Sequence, residues 1–218
     1  RGAFDGYDFR DYAASFSPRN AHVKDGSFSP DVAPLAYSGF GTGDFRKSAV
    51  AIRNHWGNDA TDFRYVSHKI YAGKPRLTGL PATYADENEA DTLEILLRDS
   101  TTAAELTLVC TAFRDVPVIT QSVRLYNGSD VPMDIEKLYS ASVSLNDMDY
   151  DLCHLYGRWG AERNLERTTL RHGQQSISSS RGSSSHYHNP FVSLVRHGAT
   201  EDYGEVYGFN LCLLYTSD

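Results

Sequence analysis

The sequence predicts an all-β chain, a large antiparallel sandwich with few or no helices, and three observations carry that expectation. Apolar residues recur with period two rather than 3.6: Leu93, Ile95 and Leu97 lie in step, as do Leu106, Leu108 and Cys110. Clusters of turn-forming residues punctuate the chain roughly every ten to fifteen residues, as in an antiparallel sandwich. Composition agrees, with 12% aromatic residues and 14 Tyr against 2 Met, a balance that suits pleated surfaces with polar-edged aromatics. At 218 residues and 40% hydrophobic content the chain is long enough for one large β domain with a real core.

Each element follows from local pattern. The stretch 4–45 is rich in Gly, Pro, Ser and Asp, which predicts long loops with short strands. Within it, 11–18 is apolar enough to dock, either as a surface loop held by Phe16 or as a loop reaching into a site. Strands are predicted over 91–98 and 105–113 from their alternation. A β-branched run over 116–126 is closed by Asn127-Gly128, a hairpin turn signal. Further strands are expected over 135–145, with Val143 and Leu145 in step, and over 191–195 and 205–211. No amphipathic helix and no internal repeat is visible. The polar segment 178–191, which contains Gly182, His186, His188, Asn189 and Pro190, reads as a built loop of the kind that carries recognition. Two other irregular segments, 150–163 and 201–209, stand beside it.

Charge narrows the function classes. A formal charge of −7, with Lys and Arg scattered and forming no stripe, argues against nucleic acid or an anionic membrane as partner. No apolar run approaches the ~20 residues that span a bilayer, and no signal peptide is visible in a chain that starts at Arg1. The three cysteines, Cys110, Cys153 and Cys212, are too few and too odd in number for a disulfide framework. Free, buried thiols in a reducing cytoplasm are expected.

Several constellations fail as reactive sites. His172, His186 and His188 lack a Cys or carboxylate at ligand spacing, so no metal is expected, and loop histidines bracing an interface are preferred. The pairs Glu162 with Arg163 and Glu201 with Asp202 are sequence neighbours, which on a strand point to opposite faces. The serines of 178–185 lack the strand-turn-helix setting of a nucleophile elbow.

Longer motifs carry a resemblance. Lys69-Ile-Tyr-Ala-Gly-Lys-Pro-Arg-Leu-Thr-Gly-Leu-Pro-Ala-Thr-Tyr84, then 87–95, resembles the N-terminal domain of bacterial α-galactosidases of glycoside hydrolase family 36. Leu155-Tyr-Gly-Arg-Trp-Gly-Ala-Glu-Arg163 resembles that family's Gly-x-Trp-x-x-Glu-Arg stretch. Ser184-Ser-His-Tyr-His-Asn-Pro-Phe191 and Gly204-Glu-Val-Tyr-Gly-Phe209 match as well, in the same order. The resemblance implies a β-supersandwich of the galactose-mutarotase-like kind over residues 1–211, truncated at both ends, with the catalytic (β/α)8 barrel absent. In the family, that barrel holds two carboxylates about 5 Å apart that hydrolyse terminal α-galactosides with retention. The fragment alone is therefore expected to be inactive. No cofactor is expected. An α-galactoside substrate, a tetrameric homo-oligomer and a cytoplasmic location are implied.

The resemblance also assigns substrate contacts. Trp159 matches a family Trp that lines the galactose pocket, where an indole face covers the sugar C–H face and its N–H donates to a hydroxyl. Core packing is the competing reading for this residue. Family members also place an Asp before the Phe-Ser-Pro motif. Phe16-Ser17-Pro18 puts Ala13 there instead, and Asp11, two residues earlier, is the candidate carboxylate. The tail 212–218 departs from the family's Tyr-Ser-Gly-Asn-Phe continuation and can be encoded by a sequencing-adapter end, so it reads as non-native. Besides a domain of an α-galactosidase, the residues leave open a stand-alone galactoside-binding module, a purely structural domain, or galactosyl transfer.

Overall fold

The structure, a computed structural model, describes residues 36–41, 46–77, 82–99, 101–145, 147–179 and 187–211. Among them the chain forms ten strands and no helix: β1 (Val50–Arg53), β2 (Phe63–Ala72), β3 (Ala90–Asp99), β4 (Ala104–Phe113), β5 (Ile119–Asn127), β6 (Asp134–Leu138), β7 (Tyr150–Arg158), β8 (Ala161–Thr169), β9 (His188–Arg196) and β10 (Val206–Asn210). Every strand pairing is antiparallel. The described residues fall into two compact units, one within Arg1–Pro75 and Tyr84–Ser144, the other within Arg76–Thr83 and Leu145–Asp218.

In the first unit, β2-β3-β4-β5 form one sheet and β1-β6 a second. The period-two residues share one face. Leu93, Ile95 and Leu97 stand opposite Cys110, Leu108 and Leu106, which in turn face Gln121, Val123 and Leu125. Leu106 is wholly buried, and its burial contributes roughly 1.5–3 kcal/mol. Val50, Ile52 and Ala104 form a buried cluster packed by Tyr37, Phe63, Leu125 and Met133. Tyr37 closes one end of the small sheet: its hydroxyl lies 2.5 Å from the Tyr139 carbonyl and 3.2 Å from that of Ala49. Burial pushes its pKa up to about 12. The opposite face of the larger sheet is polar yet satisfied. Buried Thr92 donates to the Gly73 carbonyl at 2.6 Å and pairs with the Thr111 hydroxyl at 2.8 Å.

Two expectations are corrected here. Asn127-Gly128 closes no hairpin, because β5 leaves its sheet and the next strand, β6, pairs with β1. The Asn127 side chain instead caps the exit, accepting from Ser129 N at 3.0 Å and donating to Val131 O at 2.8 Å. Gly128 is needed for close approach, since a Cβ there would lie 2.5 Å from the Ala103 carbonyl oxygen. The strand expected over 135–145 ends at Leu138, because its one ladder partner among the described residues, the four-residue β1, runs out. Val143 and Leu145 lie outside any strand.

The second unit is one sheet in the order β10-β9-β7-β8. The loop expected over 178–191 is strand from His188 onward, and His188, Asn189 and Pro190 belong to β9. Pro190 is tolerated because the β7–β9 register shifts beside it, between His154 and Tyr156, so no ladder bond needs its missing N–H. Its carbonyl still accepts from Leu211 N at 2.8 Å. His186 lies outside the described residues, as do most of the Ser-rich run, Cys212 and the rest of the tail.

Ion pairs brace the end of the sheet where β7 begins. The Arg196 guanidinium lies 4.0 Å over the Tyr150 ring and donates to Asp147 at 2.6 and 3.1 Å and to Glu205 at 2.9 Å. Beside it, Asp151 accepts from Arg167 at 2.6 Å and Thr169 at 3.0 Å, and lies 2.8 Å from His197 Nδ1.

Candidate functional site

The other end of β7 carries the candidate site. The segment 150–163, irregular in sequence, is a β-hairpin in which Arg158 pairs with Ala161 across a two-residue loop, Trp159-Gly160. Gly160 has φ +75, which a glycine adopts without steric cost, and nothing lies within 4 Å of where its Cβ would be. Trp159 is therefore held at the apex of a turn. It is 86% exposed, so the core-packing reading for this residue does not hold. The strand signal was missed because β8, Ala161–Thr169, is exposed along almost its whole length and shows no alternation.

Behind the apex the ladder is irregular. Tyr156 pairs with Asn164 and Arg158 with Ala161, so Glu162 and Arg163 together stand opposite Gly157. This is a β-bulge, and Arg163 takes φ +57 within it. The Glu162 carboxylate accepts a hydrogen bond from Gly160 N at 2.8 Å, and the Asn164 side chain donates to the Ala161 carbonyl at 2.8 Å. Alternation along a strand therefore does not describe Glu162 and Arg163, nor does it describe Glu201 and Asp202, which lie in the β9–β10 loop. Arg196 and Glu205, at the two ends of that loop, are joined by an ion pair. The hydrogen bond from Tyr207, then the Arg196 guanidinium, holds the Glu205 carboxyl below its usual range.

The remaining candidates separate. Asp11 lies outside the described residues. His172 is exposed in the segment after β8, and His188 sits in β9 with its ring 6.1 Å from that of His154. No group of three His, Cys, Asp or Glu side chains among the described residues is placed to hold a metal. Cys110 and Cys153 are free thiols, and burial raises the pKa of each. No helix among the described residues is long and apolar enough to cross a membrane.

Comparison with known proteins gives this displayed aromatic side chain a family context. The family described as Glycosyl hydrolase family 36 N-terminal domain matches residues 6–215. Alpha-galactosidase AgaA of Geobacillus stearothermophilus is 46% identical over 197 residues, 90% of this chain and 27% of that protein. The crystal structure of that enzyme superposes with a TM-score of 0.86 at 42% identity, covering 95% of this chain and 29% of its own. A variant of it in complex with raffinose gives a TM-score of 0.81 at 46% identity, over 83% of this chain and 25% of its own. The chain thus spans about a quarter of the length of the relatives it matches. Its all-β antiparallel fold is the supersandwich class read from the sequence. The chain belongs to glycosyl hydrolase family 36 and corresponds to the N-terminal domain of that family's α-galactosidases.

Proposed function

We propose that this chain serves as the N-terminal domain of an α-galactosidase that hydrolyses terminal α-D-galactosides such as melibiose and raffinose with retention. The two carboxylates that perform the chemistry belong to a barrel domain outside these residues. This chain contributes Trp159 as one wall of the galactose pocket and surface to a homotetramer in the cytoplasm. Asp11 is a second sugar contact.

The observation that carries the reading is the apex position of Trp159, 86% exposed on a two-residue turn. An indole held clear of its own domain is available to cover the apolar face of a sugar bound elsewhere in the enzyme, with Nε1–H free in direction to meet a hydroxyl. The raffinose complex of the Geobacillus relative supports the substrate class.

The test joins this chain to the remainder of Geobacillus AgaA in place of the matching segment. Trp159→Ala is expected to lower kcat/KM for raffinose at least tenfold, about 1.4 kcal/mol of transition-state stabilisation. An unchanged kcat/KM removes Trp159 from the pocket. In parallel, galactose titration of the 218-residue chain by protein-detected NMR is expected to show no saturable binding. Saturation would favour a stand-alone galactoside-binding module.

A further inference from the structure

The geometry points to Glu162 as the positioning residue of Trp159, acting through the backbone of the turn; this rests on the pocket reading of Trp159 given above. A two-residue hairpin loop normally takes primed turn geometry, with positive φ at its first or at both central residues, because that twist matches the flanking strands. This loop does otherwise. Gly160 has φ +75, while Trp159 is not among the positive-φ residues, a sign pattern that splays the strands unless something compensates.

Two compensations sit directly behind it. The bulge at Glu162 and Arg163, with Arg163 at φ +57, restores the ladder at Tyr156 and Asn164 by adding local twist. The Glu162 carboxylate, turned back along its own strand, accepts the Gly160 N–H at 2.8 Å. That donor belongs to the peptide joining Trp159 to Gly160, so the bond fixes the plane of that peptide. The direction of the Trp159 Cα–Cβ bond is fixed with it. A non-glycine residue in the left-handed region is sterically strained and persists only where surroundings demand it. Here the turn residues Trp159, Gly160, Glu162 and Arg163 are all exposed, and what the strain holds in one direction is the aromatic apex.

The role assigned to Glu162 is acceptance of a hydrogen bond rather than proton transfer, so glutamine should replace it and alanine should not. In the 218-residue chain, Glu162→Ala is expected to lower the heteronuclear NOE of the Gly160 amide and to speed its hydrogen exchange roughly fivefold or more. Glu162→Gln should restore most of both, and the melting temperature should stay put in either variant. In the enzyme assembled with the remainder of Geobacillus AgaA, Glu162→Ala should raise KM for raffinose several-fold with a smaller change in kcat, and Glu162→Gln should recover it. A Gly160 amide as ordered in Glu162→Ala as in the parent overturns the positioning role. So does a loss of activity that tracks a fall in melting temperature and is not rescued by glutamine. A Trp159→Ala enzyme of undiminished kcat/KM, beside a Gly160 amide that does loosen in Glu162→Ala, separates failure of the pocket reading from failure of this one.

Discussion

Two hairpin turns in this chain use the same backbone device for opposite ends. The β3–β4 turn places Ala103 at φ +57, and the bulge directly behind the β7–β8 turn places Arg163 at the same angle. Around Ala103 the hydrogen-bonding partners are buried or partly buried. Asp99, fully buried, accepts from Asp62 N at 2.8 Å, Thr102 N at 2.8 Å and the Thr102 hydroxyl at 2.5 Å. Its neighbours Thr102 and Ala104 are buried, and the Ala103 carbonyl is the atom that Gly128 must approach closely. Around Arg163 everything faces outward: the turn's own amide is held by an exposed carboxylate, and the largest side chain projects into solvent. Identical strain therefore marks a structural joint in one hairpin and a displayed side chain in the other. Partner burial, not backbone angle, tells them apart.

Breaking the inward-facing turn should have the largest effect. Asp99→Ala strands a buried backbone donor, a part-buried one and a hydroxyl, and is expected to cost about 3 kcal/mol or more in urea unfolding; a loss under about 1 kcal/mol would mean that burial does not separate the two hairpins. Acid should next separate the two regions. Hydrogen bonds from Arg196 hold the Asp147 carboxyl, and from Arg167 the Asp151 carboxyl, below their usual values, as the Tyr207 and Arg196 bonds do for Glu205. Carboxyls depressed in the folded state stabilise it above their unfolded pKa, near 4, and that stabilisation is lost as pH falls through the folded values. Amides of β7 and β9, bordered by these three carboxyls, should therefore lose exchange protection in acid before those of β3 and β4, where Asp91, hydrogen-bonded to Arg114, is held below its usual value. Ala103→Gly should raise stability by roughly 1 kcal/mol by removing the left-handed penalty, read as a shift in urea midpoint. Trp159→Ala should leave stability within about 0.5 kcal/mol, since the indole packs on almost nothing.

What was legible in the sequence follows the same division. Leu93, Ile95 and Leu97, and Leu106, Leu108 and Cys110, betrayed β3 and β4 because one face of that sheet is apolar and the other mostly polar. β2 and β8 were invisible: exposed along most of their length, they have no reason to alternate. Asn127-Gly128 misled because the local turn chemistry is real while the choice of next partner, β1 rather than β5, is made by packing at long range. His188-Asn189-Pro190 misled because proline is normally excluded from paired strands, and the register shift that admits it is set by β7. Trp159 was reached through a motif resemblance. Its exposure had a local signal, a Trp flanked by Gly157 and Gly160, but the bulge that orients it lies in hydrogen bonds no pattern of residue types displays.

The exposed apex also determines how this chain will look in an optical experiment. It contains two tryptophans, Trp56 at 67% exposure and Trp159 at 86%. Both indoles already sit in water in the folded state, so native emission should lie at the red end of the indole range and change little in wavelength on denaturation. Intrinsic fluorescence is then nearly blind to folding here. A blue shift would instead report that a sugar, a neighbouring domain or another subunit had closed over one of the two rings.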